Sequence, residues 1–216
     1  MNSSILREVH AQIRVCTLCR LHEGRTRAVP GEGSEKARIM FVGEAPGYHE
    51  DQQGRPFVGP AGQFLTELLA GIRIKREEVF ITNIVKCRPP GNRDPQPDEI
   101  EACSDYLQTQ IALIKPKIVC TLGRYSMAAL IDDRLTISKT HGIPYRKSGI
   151  LFVPLIHPAA ALHRESWRGT IVDDFRKLGE MLSRELRGQR QPGEQESAPP
   201  DPKRQPRPPS QLSFDT

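Results

Sequence analysis

Two groups of residues in this chain have types and spacing suited to chemistry. The first is a set of cysteines: Cys16 and Cys19 in CTLC, Cys87 in VKCRPP, Cys103 in IEACSD, and Cys120 inside the apolar run IVCTL. Five cysteines in a chain expected in the cytosol argue against a disulfide framework and for a metal or a reactive thiol. Cys120 reads as a core residue. The other four come from three separate segments and suit zinc or an iron–sulfur cluster equally by number. Spacing alone leans toward zinc, the commoner metal of four-thiolate sites.

The second group consists of polar or aromatic residues in unusual company. Asn83 lies in VFITNIVK among Phe, Ile and Val. A buried amide must find partners. It either braces a loop backbone or presents a donor and an acceptor in one plane, as reading a pyrimidine edge requires. His157 follows apolar VPLI and precedes Pro158. It serves as a cap or core residue, or as a donor to an anion developing in a dry pocket. Phe57, in GRPFVGP, is either a hydrophobic plug or a stacking plate for a planar ring. The stretch VGEAPGYHEDQQGRPFVGPAG has the glycines of a phosphate cradle, but Glu44, Glu50 and Asp51 would repel a phosphate.

The surrounding periodicity explains how such residues meet. Apolar runs at 38–43, 79–86, 117–123 and within 149–158 predict four strands. Between them, helical spacing links Ile5, Val9, Ile13 and Cys16, then Phe64, Leu65, Leu68, Leu69 and Ile72, then Ile100, Cys103, Leu107, Ile111 and Ile114. A short helix is expected over RYSMAALI and a last one from about Gly169 to Leu186. Strands alternating with helices predict an α/β fold: three α/β/α layers around a central, mainly parallel four-stranded sheet. Ligands of such sheets bind at the carboxyl ends of the strands. Here those ends are GEAPG, the Asn83–Cys87 segment, LGRYS and HPAAAL, so the unusual residues gather on one edge.

Composition sets the outer bounds. Residues 1–187 are expected to form one domain. From Gly188 the chain holds seven prolines and few apolar residues, which predicts a disordered tail over 188–216. The tail's charges cancel, leaving the net charge of +5 on the domain, compatible with a nucleic-acid partner without requiring one. No apolar run is long enough to span a membrane. MNSSILREVHAQIR lacks the apolar core of a secretory signal, so a cytoplasmic, nucleoid-associated monomer is expected.

Taken together, CTLC, FVGEAPGYHEDQQGRPFVGPAG, FITNIVKCRPPGNRDPQPDEIEAC and VPLIHPAAAL resemble the family 4 uracil-DNA glycosylases, the iron–sulfur branch of that superfamily, over roughly residues 10–185. The resemblance implies a structural [4Fe–4S] cluster on Cys16, Cys19, Cys87 and Cys103 in place of zinc. It also implies flipping of uracil out of DNA and hydrolysis of its glycosidic bond. By position, Phe57 stacks on the flipped ring, Asn83 bonds its polar edge, Gly43 lines the pocket, Glu50 stands beside C5, and the backbone at Asn92 closes over the base. His157 donates to uracil O2. Glu44 orients water or stabilises the sugar cation, or else braces its loop. The best-known uracil glycosylases place an Asp where Ala45 stands here. Leu162 is the expected wedge in the minor groove, with Arg164 and Arg168 on phosphates and Arg124 and Ser126 at a further phosphate.

Two other classes compete. A covalent cross-linking relative would carry Gln at position 45 and a basic, His-bearing insertion after the second strand, and neither is present. A metal-bearing DNA-binding module without catalysis would not need Glu44, Phe57, Asn83 and His157 on one edge. In the tail, QLSF at Gln211–Phe214 is a shortened form of the peptide by which repair enzymes dock on the sliding clamp, an expected partner site.

Overall fold

The computed structural model describes residues 2–196. The helices are α1 (Asn2–Val15), α2 (Leu21–Gly24), α3 (Tyr48–Gln53), α4 (Pro60–Gly71), α5 (Pro97–Ile114), α6 (Arg124–Leu130), α7 (Ile137–Thr140), α8 (Ala159–His163) and α9 (Ser166–Leu186). The strands are β1 (Glu32–Gly33), β2 (Ile39–Gly43), β3 (Phe80–Asn83), β4 (Ile118–Leu122), β5 (Tyr145–Lys147), β6 (Ile150–Leu155) and β7 (Gln195–Glu196), in the sheet order β1-β3-β2-β4-β6-β5-β7.

The four expected strands are the central four, and all run parallel. The sheet itself is wider than four strands. Antiparallel β1 and β5 extend it on either side, and β7 adds to β5. The β5–β6 hairpin turns through Ser148 and Gly149, both at positive φ, as a tight two-residue turn requires. Along β2, Met40 and Val42 face a core built with Leu6, Val9 and Ile13 of α1 and Tyr106, Leu107 and Ile111 of α5. Ile39 and Phe41 face the opposite core with Phe64, Leu65 and Leu69 of α4 and Phe175 and Leu178 of α9. Period-two alternation therefore divides each strand between two helical layers, giving the expected α/β/α sandwich. On α1 the buried stripe is Leu6–Val9–Ile13, and Ile5 is 39% exposed, a shift of one residue from the expected face.

The chain does not leave the domain at residue 187. Gln191 is buried, and Gln195 N–H donates to the Pro144 carbonyl at 2.9 Å. Arg146 of β5 binds Glu185 at 2.6 Å and Glu194 at 2.9 Å, clamping residues 188–196 against the sheet edge. Local composition concealed this, because the contacts that order the strap come from β5 and α9. The Gln211–Phe214 motif lies outside the described residues. Among the described residues no helix is long and apolar enough to cross a membrane.

Arg146 holds the Glu194 carboxyl below its ordinary value of 4.5. The stabilisation is therefore present above that pH and is lost as the pH falls below it. Arg146→Ala should destabilise the domain by about 3 kcal/mol at pH 7, because it strands two nearly buried carboxylates. The deficit should shrink toward pH 3; urea unfolding at both pH values measures it.

Candidate active site

β2 ends at Gly43 and β3 at Asn83, directly paired in the parallel register. A side-chain carbon at Gly43 would come within 2.8 Å or less of Asn83 Oδ1 and of the Phe57 ring, so only glycine fits between them. Phe57 itself sits at φ 51°. That strained turn rests on Gly62, where a side chain would overlap the Phe57 carbonyl. The Phe57 ring then stacks on His157 from the end of β6, with centroids 5.6 Å apart and planes 29° from parallel. Four residues expected on one edge (Gly43, Phe57, Asn83 and His157) are thus in mutual contact or one contact apart.

Asn83 is 1% exposed, and its Oδ1 has no hydrogen-bond partner among the described residues. A buried amide oxygen left open at the mouth of a parallel sheet is an acceptor set for a ligand's N–H. His157 is its complement. The Ala159 N–H donates to Nδ1 at 3.1 Å, which leaves the ring proton on Nε2. Burial lowers the His157 pKa to about 4, against a weaker opposing pull from Glu50. At neutral pH the ring is an uncharged N–H donor.

The two glutamates of the loop have divided roles. Glu50 accepts from the amides of Val58 at 2.8 Å, Gly59 at 2.9 Å and Gly47 at 3.2 Å, tying the two halves of the loop together. The bracing role considered for Glu44 belongs to Glu50. Glu44 is half-buried, and among the described residues no hydrogen bond reaches its carboxylate. Its pKa is pushed up to about 7, first by burial and then by the nearby charge of Asp94, with Arg124 acting in the opposite direction. The third carboxylate, Asp51, is buried and accepts from the Thr26 and Arg27 amides at 2.9 and 3.4 Å.

The expected nucleic-acid contacts are distributed less evenly. Leu162 is 50% exposed and Arg164 is exposed, as a wedge and a phosphate contact require. Arg168 lies over the Phe64 ring at 4.4 Å and pairs with Glu67 at 3.2 Å. Arg124 donates to Asp94 at 2.7 Å and covers the Tyr125 ring at 4.5 Å, and the Tyr125 hydroxyl bonds the same carboxylate. Ser126 departs from its expected role. It is fully buried and its hydroxyl donates to the Gly123 carbonyl, because the first turn of α6 rotates it into the core. Asn92, at φ 55°, is exposed, and its Oδ1 accepts from Arg88 Nε at 2.7 Å. Arg88 in turn lies 5.2 Å from the Tyr48 ring. The Arg88–Tyr48 and Asp94–Arg124 links were not anticipated. Each joins residues about 30 or more apart, and the surface charges of the chain do not single them out.

Behind this edge, Cys16, Cys19, Cys87 and Cys103 line one cavity together with Ile13, Leu18, Tyr106, Arg25 and Lys86. Cys120 lies buried in the other core, as expected. The four thiols surround the cavity without converging on a point. Among the described residues no three His, Cys, Asp or Glu side chains are grouped to hold a lone metal ion. Burial pushes the Cys103 thiol up to about 12 and raises Cys87 and Cys19 as well. Holding them as thiolates therefore calls for a positive centre in the cavity. Arg25 already points at the site, donating to Cys87 Sγ at 3.1 Å.

A sequence profile of the Uracil DNA glycosylase superfamily matches residues 30–178. The chain is 48% identical over 185 residues to the type-4 uracil-DNA glycosylase of Sulfurisphaera tokodaii, covering 82% of this chain and 84% of that protein. It is 44% identical over 187 residues to the type-4 enzyme of Archaeoglobus fulgidus, covering 83% and 94%. Similarity to the type-5 uracil-DNA glycosylase of Thermus thermophilus is shorter, 38% over 120 residues, covering 49% and 54%. With 44–48% identity over more than 80% of its length to these two enzymes, the chain belongs to the type-4 uracil-DNA glycosylases.

Proposed function

We infer that this chain removes uracil from DNA, hydrolysing the bond between uracil N1 and the sugar C1′ to leave an abasic site for base excision repair. The observation that carries the inference is the unpartnered Oδ1 of Asn83 in a pocket walled by Phe57 and His157. Uracil presents an N–H donor between two carbonyl oxygens, and a carboxamide matches the donor and the neighbouring oxygen in one plane. Extrusion from the stack is cheapest where uracil faces guanine and is already mispaired.

In this scheme Phe57 stacks on the flipped base, and Asn83 accepts from its N–H. Glu50, immobilised by three amides, forms the wall beside C5 that a thymine methyl would strike. As the glycosidic bond breaks, electrons move onto the base and negative charge collects at O2. The neutral Nε2–H of His157 donates to that oxygen without passing on a proton, and preorganised donors of this kind are worth a few kcal/mol. Glu44 faces the sugar side, where its anion orients water toward C1′ and offsets the developing positive charge. With Ala45 in the position that carries an acid in other branches, Glu44 is the free carboxylate of this loop. Leu162 fills the vacated stack, while Arg164, Arg168 and Arg124 take phosphates. The Gln211–Phe214 peptide extends the scheme to a sliding clamp.

The four-cysteine cavity fits a [4Fe–4S] cluster held by Cys16, Cys19, Cys87 and Cys103. When bound, it would tie the segment after α1 to the loop after β3 and to α5 and supply structure, since hydrolysis transfers no electron.

The scheme makes expectations for Asn83, Glu44 and Cys87. Asn83→Ala should lower uracil excision by a factor of 100 or more while leaving affinity for uracil-free DNA within about twofold. Unchanged excision from uracil oligonucleotides, scored by alkali cleavage, would remove Asn83 from base reading. Because Glu44 acts as the anion, excision should fall as the pH drops through about 7. Asp94→Asn removes a neighbouring negative charge and should move that limb to lower pH; a single-turnover pH profile with no limb near 7 contradicts the role of Glu44. Glu44→Gln should also stabilise the fold at pH 8 and change little at pH 4, since the cost of a carboxyl whose pKa is raised on folding appears only above its unfolded value. Finally, Cys87→Ala should yield protein with reduced iron, weakened absorbance near 400 nm and a lower melting temperature.

A further inference from the structure

Lys86 is 1% exposed, among the largest fully buried side chains of the domain. Its ammonium makes three hydrogen bonds, to Thr82 Oγ1 at 2.7 Å, the Asn83 carbonyl at 2.8 Å and Gln110 Oε1 at 2.8 Å. All three acceptors are neutral, and among the described residues no carboxylate pairs with it. Burying a charge without a counter-charge costs several kcal/mol, so such cations are found beside an anion. Lys86 lines the four-cysteine cavity and directly precedes Cys87 in the chain. Four thiolates around an iron–sulfur core leave that assembly net negative.

The same ammonium also holds the strand end that carries Asn83. By binding the Asn83 carbonyl and the Thr82 hydroxyl it holds the last two residues of β3. Gln110 and Thr82 meanwhile both donate to the Pro30 carbonyl, which fixes the far end of the network. We propose that Lys86 is the internal counter-cation of the cysteine-bound cluster and, through the same ammonium, the positioning residue that sets Asn83 for base reading. The proposal rests on the cluster assignment given above. It makes the cluster part of the active-site architecture: its negative charge retains the cation that orients Asn83.

The test uses the full chain purified without oxygen, with iron and acid-labile sulfide measured first. Lys86→Met keeps the unbranched stem, one atom shorter, and removes the charge. The expected results are a cluster midpoint potential lower than wild type, since losing a nearby positive charge disfavours the more negative reduced state, and several-fold faster bleaching by chelator. Inhibition by free uracil should weaken about tenfold, with kcat/KM falling in step and circular dichroism unchanged. Lys86→Arg restores the charge with a different shape. It should return the potential toward wild type while uracil binding stays impaired, separating the two roles. Wild-type potential and lability in Lys86→Met overturn the counter-cation role, and unchanged uracil inhibition overturns the positioning role. Should Lys86→Met fail to fold, Gln110→Glu sets an anion against the ammonium in place of a neutral oxygen and must also lower the potential; an unchanged potential there overturns the proposal. Wild-type protein without iron and sulfide refutes the cluster assignment itself, a failure distinct from either of these.

Discussion

The pocket depends on the missing side chain at Gly43. Where β2 ends, the Phe57 ring and the Asn83 amide approach the backbone so closely that a single methyl group would collide with both. Phe57 occupies that position only because Gly62 leaves room for its carbonyl, and the loop carrying both is closed by the three amides converging on Glu50. Stacking, base reading and loop closure therefore share one steric condition. Loosening it at any point would move the ring, the amide and the loop together.

Around that condition, the environment brings both titratable groups of the pocket away from their ordinary charge behaviour. His157 is kept neutral by burial, while Glu44 is held near the midpoint of its titration by burial and by Asp94. In the proposed scheme, a neutral donor on the base side and a carboxylate on the sugar side match the two charges that separate when the glycosidic bond breaks. Glu50, in the same loop, has its carboxylate fully engaged by backbone amides, which is why the two acids do different work.

The surface tells a related story. Arg124 and Arg168 are already engaged, by Asp94 with Tyr125 and by Glu67 with Phe64, whereas the Arg164 side chain has no such partner among the described residues. Under the proposed DNA contacts, a phosphate arriving at the first two would exchange one anion for another, so they would orient bound DNA more than attract it.

Much of this was legible in the chain. An amide in an apolar strand, a histidine closing another and a glycine-rich loop with the wrong charge for phosphate all marked the edge where these residues gather. They stand out because each violates its own local periodicity. The central strands and main helices were legible for the same reason, since apolar spacing at periods of two or about 3.6 is a local property. What only the tertiary structure decided were the pairings between distant segments: the β7 strap held by Arg146, the inward turn of Ser126, the role of Glu50 as the brace, and the link from Lys86 to Asn83. Spacing along a chain states which residues must be buried, but the partner that satisfies a buried charge or amide is chosen by packing in three dimensions.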